Sequence, residues 1–142
     1  MNQSSSRAGF RRQRGFTLVE LVVVVLIIGI IAAIAAPRMF DTATSARESA
    51  TRQSLAVVRD AVQLYRAQNG ALPGEAGTEA DLKTDLETLL NGPFPTAEVG
   101  NVGSTVRLQT TGGALTASGG QSWAYDNVSG ELIVNHGSFE NW

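Results

Sequence analysis

From Phe16 to Ala36 the chain reads FTLVELVVVVLIIGIIAAIAA, an apolar run whose one charge is Glu20. At ~1.5 Å per helical residue the run spans roughly 31 Å, matching the ~30 Å hydrocarbon core of a bilayer. Val and Ile are middling helix formers in water, but in lipid the helix wins because every backbone polar group must be paired within the segment. Pro37 removes a backbone donor and crowds the preceding turn, so a kink or local loosening is expected there. Beyond it the pattern becomes amphipathic. Phe40, Ala43, Ala46, Ala50, Leu55, Val58, Ala61, Val62 and Tyr65 recur at helical spacing, and Arg47, Glu48, Arg52, Arg59, Asp60 and Arg66 fall mostly on the other side. Glu48 and Arg52 are spaced for an ion pair one turn apart. Asn69-Gly70, followed by Pro73, supplies a stop. The pattern predicts one helix from about Phe16 to Asn69, roughly 80 Å long, half in lipid and half packed on a soluble domain.

A second, short helix is expected after Thr78-Glu79-Ala80-Asp81, with Leu82, Leu86, Leu89 and Leu90 on one stripe and a stop at Asn91-Gly92-Pro93. After Pro95 the chain changes to short β-like runs. Thr105 to Thr110 alternates, with Val106 and Leu108 facing together. Ser122 to Tyr125 and Glu131 to Asn135 flank the loop Asp126-Asn127-Val128-Ser129-Gly130, so a hairpin is expected, pairing Trp123 and Tyr125 with Leu132 and Val134. The predicted fold is α+β: a long N-terminal helix packed on a small C-terminal antiparallel β-sheet. The implied divisions are a basic leader over 1–15, a transmembrane half-helix over 16–36, an amphipathic half-helix over 37–70 and a small α/β globular part over 71–142.

The net charge of −2 hides a division at Gly15. Arg7, Arg11, Arg12 and Arg14 precede it with no acid among them; without them seven basic residues face thirteen acidic ones, a net charge of about −6. An acidic body speaks against nucleic-acid binding, which needs a basic face. The leader arginines favour an N-terminus kept in the cytoplasm. The chain has no cysteine, which excludes a disulfide framework, a thiolate metal site and a thiol nucleophile. An ordinary secretory signal cut near Ala35 is disfavoured, because the apolar run exceeds the usual ~7–15 residues and a helical pattern continues past Pro37. Gly29 and the alanines from Ala32 to Ala36 either permit close helix–helix approach or simply end the apolar run.

Glu20 is the costly residue. A carboxylate in a transmembrane helix costs ~2.5–3.5 kcal/mol at the centre and less near an end, so it needs a partner or must snorkel to the interface. It stands four positions after Phe16, on the same helical face.

Gly15-Phe16-Thr17-Leu18-Val19-Glu20, preceded by Arg11-Arg12-Gln13-Arg14, resembles the processing site of type IV prepilins and pseudopilins. The resemblance extends through the apolar run to Pro37. It implies cleavage by a prepilin peptidase between Gly15 and Phe16, with N-methylation of the new Phe16 amine. It also implies assembly roles for Phe16, Glu20 and Pro37: subunits stack with an axial offset, and the amine of one neutralises Glu20 of the next. That pairing is stronger in lipid than in water. The segments from Leu64 to Pro73 and from Trp123 to Leu132 resemble the helix end and terminal hairpin of type II secretion pseudopilins, with major pseudopilins the nearest likeness.

Major pseudopilins of this kind bind calcium near the end of the sheet. Asp126, Glu131 and Glu140 are available here, but the dense acidic loop is missing, so a solvated turn, no metal ligand and no other cofactor are expected. His136 has no catalytic partner at a recognisable spacing, and Gly112-Gly113 and Gly119-Gly120 lack the Lys-Ser/Thr of a phosphate loop. Asn127-Val128-Ser129 fits a glycosylation sequon but also serves a turn. No catalytic constellation is present, so no enzyme is expected.

The expected function is structural: a filament subunit, by resemblance a type II secretion pseudopilin. The alternatives are a type IV pilus pilin serving motility, adhesion or DNA uptake, and a monomeric membrane-anchored binding domain. Expected partners are copies of the chain, a prepilin peptidase, an assembly platform membrane protein, minor pseudopilins and membrane lipid, without nucleic acid. The expected location is a bacterial inner membrane crossed once, with the C-terminal part periplasmic, or extracellular in a pilus.

Overall fold

The computed structural model describes residues 15–142. Its elements are α1 (Leu18–Asn69), α2 (Glu79–Leu90), β1 (Val106–Gln109), β2 (Trp123–Asp126) and β3 (Leu132–Val134). The fold is α+β, as the hydrophobic pattern predicts. The chain divides into two compact units, the first ending at Phe40 and the second covering Asp41–Trp142.

In the first unit α1 carries exposed apolar side chains throughout, Leu18 at 80 % and Ile34 at 63 % among them. It is long and apolar enough to cross a membrane. Pro37 lies inside α1, with helix assigned on both sides of it.

In the second unit α1 turns one stripe inward: Thr51, Leu55, Val58, Ala61 and Val62 are buried. This is shorter than the predicted stripe. Ala43, Ala46 and Ala50 are exposed, because the globular part offers α1 a surface only from Thr51 onward. Leu55, Val58, Ala61 and Val62 share one core with Leu82 and Leu86 of α2, Val106 of β1, Trp123 and Tyr125 of β2, and Leu132 and Val134 of β3. The stop at Asn69-Gly70 is as expected: Gly70 takes a positive φ of 74° and its N–H donates to Arg66 O at 2.9 Å. Thr78 caps α2, accepting from Asp81 N–H at 3.2 Å, and Asn91 ends it in the left-handed region.

The sheet has the order β1-β2-β3. The hairpin has the predicted pairs, Trp123 opposite Val134 and Tyr125 opposite Leu132. Gly130 closes it at φ 78°, with its N–H on Asp126 O at 2.8 Å. The sheet is nevertheless mixed rather than wholly antiparallel, because β1 runs parallel to β2, with Val106 beside Trp123 and Leu108 beside Tyr125. Parallel neighbours need a connection of a dozen or more residues to bring the chain back, and residues 110–122 supply it.

Two polar side chains expected on the solvent side of α1 have other roles. Arg59 donates to Leu132 O at 2.8 and 3.2 Å and to Trp142 O at 2.7 Å. Arg52 lies over the Trp142 ring, 4.1 Å from its centroid, instead of pairing with Glu48.

Thr51 is fully buried, donates to Arg47 O at 2.9 Å and accepts from Glu98 N–H at 2.9 Å. Thr51→Val leaves that N–H without its acceptor and is expected to cost about 1–3 kcal/mol in chemical unfolding, with Thr51→Ser restoring most of it.

Candidate functional site

Gly15, Phe16 and Thr17 lie ahead of the first helical turn, all exposed. Glu20 N–H donates to Thr17 Oγ1 at 3.2 Å, and Leu21 N–H to Thr17 O at 3.2 Å. Thr17-x-x-Glu20 has the spacing of a capping box. The bond observed is the Thr17 half of that box, made to the Glu20 backbone, and the positive end of the helix dipole favours a carboxylate at this position. Reading Glu20 only as a membrane carboxylate misses its place at the helix start, although the Thr-x-x-Glu spacing carries it.

Gly15 needs no positive φ, and a Cβ there would meet nothing within 4 Å among the described residues. Packing among the described residues therefore gives no reason for glycine at this position. Gly15 and Phe16 stand just ahead of α1 and Glu20 in its first turn, whereas Pro37 lies roughly 25 Å beyond Glu20 by helical rise. The leader residues Arg7, Arg11, Arg12 and Arg14 lie outside the described residues.

The three acids weighed as calcium ligands have separate tasks. Asp126 Oδ1 accepts from Val128 and Ser129 N–H at 2.7 and 2.9 Å, and its Oδ2 from Gly112 N–H at 2.9 Å and Gln109 Nε2 at 3.0 Å. Glu131 Oε2 accepts from Leu115 N–H at 3.3 Å, and Glu140 Oε2 from Ala117 N–H at 2.9 Å. Calcium takes six to eight oxygen ligands. Among the described residues no group of three or more His, Asp or Glu is placed to hold a metal, and these oxygens face N–H donors.

Burial opposes ionisation of Asp126, but the N–H groups of Ser129, Val128 and Gly112 and the Gln109 amide outweigh it and hold the carboxyl below its ordinary value. Composition gives no sign of this role, since from the sequence Asp126 reads as a solvated turn residue. The only histidine, His136, is half-buried and packs on Phe139, with ring centroids 5.3 Å apart.

The prokaryotic N-terminal methylation motif matches residues 10–36. The type II secretion system core protein G of Pseudomonas aeruginosa is 35 % identical over 74 residues, 51 % of this chain and 52 % of that protein. The type IV narrow pilus major component PilA5 of Thermus thermophilus is 40 % identical over 62 residues, 44 % of this chain and 53 % of that protein. The fimbrial protein EcpC of Eikenella corrodens is 29 % identical over 132 residues, 89 % of this chain and 79 % of that protein. The matches to the first two span about half the length of each relative. No solved structure matches the chain.

Asp126→Asn places an amide donor where a carboxylate accepted backbone N–H groups, and is expected to cost about 1.5–3 kcal/mol. Because the folded-state value is depressed, the stabilisation is complete above the unfolded value of ~3.9 and is lost as pH falls through the lower folded value. Thermal melting of the full chain in detergent should show this loss in the parent protein and a smaller one in the variant.

Proposed function

We propose that this chain, a pilin-like protein carrying the prokaryotic N-terminal methylation motif, is the structural subunit of a type IV pilus-like filament, and specifically a pseudopilin of type II secretion. The observation that carries the reading is the opening of α1. An exposed Gly15–Phe16 bond stands directly ahead of a capped helix, and that helix carries one carboxylate in its first turn.

Cleavage after Gly15 by a prepilin peptidase would expose a cationic Phe16 amine, which N-methylation leaves charged. In lipid that amine and the Glu20 carboxylate of a neighbouring copy neutralise each other, so the pairing favours stacked subunits over isolated ones. The exposed apolar residues of α1 up to Phe40 then pack against lipid before assembly and against other copies afterwards. Pro37 relaxes the helix where it leaves the membrane. The leader arginines hold the N-terminus in the cytoplasm, which puts the α/β part on the periplasmic side. An assembly platform protein, minor pseudopilins and the peptidase are the partners this route requires. No cofactor or catalytic group enters it.

A pilus pilin is the second reading. It is favoured by the similarity to PilA5 and by the EcpC match, which extends over most of both chains. Both readings share the same assembly chemistry.

Mass analysis of the membrane-extracted protein should find N-methyl-Phe16 as the first residue; an intact Met1 or a start near Ala36 would overturn the proposal. Glu20→Ala should leave membrane insertion intact and reduce incorporation into filaments at least about tenfold, equivalent to ~1.4 kcal/mol. Unchanged incorporation would instead favour a monomeric anchored domain.

A further inference from the structure

Residues 110–121 form no strand, yet they cover the outer face of the sheet, where Leu115 joins Ala124 and Ile133 in a small buried cluster. The segment takes part in no backbone–backbone hydrogen bond among the described residues. Its N–H groups go to side chains instead: Gly112 to Asp126 at 2.9 Å, Leu115 to Glu131 at 3.3 Å, Ala117 to Glu140 at 2.9 Å and Ser118 to Asn135 at 2.8 Å. Three of these four acceptors are carboxylates, and they come from three separate places: the end of β2, the hairpin and the C-terminal turn.

We propose that residues 111–117 are an acid-released flap, latched over the Ala124–Ile133 face by ionised Asp126, Glu131 and Glu140 and loosened when they are protonated. An N–H on a carboxylate makes a charge-assisted bond, roughly twice as strong as a neutral one. Protonation removes that assistance and turns one oxygen into a donor. The other end of the segment has neutral attachments. Asn135 also donates to Ser118 O at 2.8 Å and Gln121 O at 2.9 Å, and Asn101 to Gln121 O at 3.1 Å. Neither amide titrates, so residues 118–121 act as the hinge.

The charges around the flap are few. From β1, Arg107 donates to Thr116 O at 2.6 Å and the neutral Gln109 amide to Gly113 O at 2.9 Å, and neither bond needs a carboxylate, so acid loosens the flap without detaching it. From β2, burial and the charges of Asp126 and Asp85 push the Tyr125 phenol upward, and it stays neutral. From the C-terminal turn, His136 Nδ1 accepts from Ser138 N–H at 3.3 Å. The depressed Asp126 carboxyl lets the Gly112 end hold into more acid conditions than an ordinary carboxylate would. None of this depends on the filament reading.

Amide hydrogen exchange of the full chain in detergent micelles, followed by NMR from about pH 6 to about pH 3 and corrected for intrinsic rates, tests the latch. Protection at Gly112, Leu115 and Ala117 should fall at least about tenfold relative to Ser118 and Tyr125. In a Glu131→Gln, Glu140→Gln variant, Leu115 and Ala117 should already be weakly protected at the higher pH and respond little to acid. Protection that is constant with pH, or that falls at Ser118 and Tyr125 in parallel, overturns the proposal.

Discussion

A helix in lipid has to pair every backbone polar group within itself, and it has to find company for any charge it carries. α1 is long and apolar enough to face both demands, and much else in the chain follows from them. The first is met by an unbroken run of apolar residues with a capped start at Thr17. The second is met only in part within one chain. The dipole at the helix start favours the Glu20 carboxylate, but the apolar side chains around it are exposed among the described residues. A segment of this kind is complete only among lipids or copies of itself.

The same helix is used differently from Thr51 onward. There one stripe supports a core built around Trp123, Tyr125, Leu82 and Leu86, all buried. With three short strands and no disulfide, the globular part depends on side chains that reach across to backbone groups: Thr51 to Glu98, Asn101 and Asn135 to the 118–121 stretch, and Asp126 to Gly112. A long connection lets β1 run parallel to β2, and that same connection then has to be tied down over the second face of the sheet. Topology and polar anchoring are therefore one problem, solved together.

What could be read from the sequence follows the range of the forces involved. The helix ends at Thr17, Asn69-Gly70, Thr78 and Asn91 are set by neighbouring residues, and so is the Trp123–Val134 hairpin. Periodicity and turn chemistry report such features directly. The strand direction of β1 depends on where a long loop returns the chain, which no local pattern encodes. The roles of Thr51 and Arg59 were hidden for the same reason, since their partners Glu98, Leu132 and Trp142 are distant in sequence. Arg59 reads as one more polar residue on an amphipathic helix until the fold brings a carbonyl of β3 within reach. In the candidate site, the Gly15–Phe16–Glu20 spacing was legible because it is contiguous. The Asp126, Glu131 and Glu140 anchors were not, because their partners lie in a loop without periodicity.

The Arg59 guanidinium has a mechanical consequence. One rigid plane on α1 holds two carbonyls, one in the edge strand β3 and one at Trp142. Both attachments run through one guanidinium, so any shift of α1 against the sheet at this joint disturbs them together. The Arg52–Trp142 stack adds a second contact between α1 and the same residue. A lysine at position 59 would keep the charge and lose the fork, and with it the stiffness of the joint.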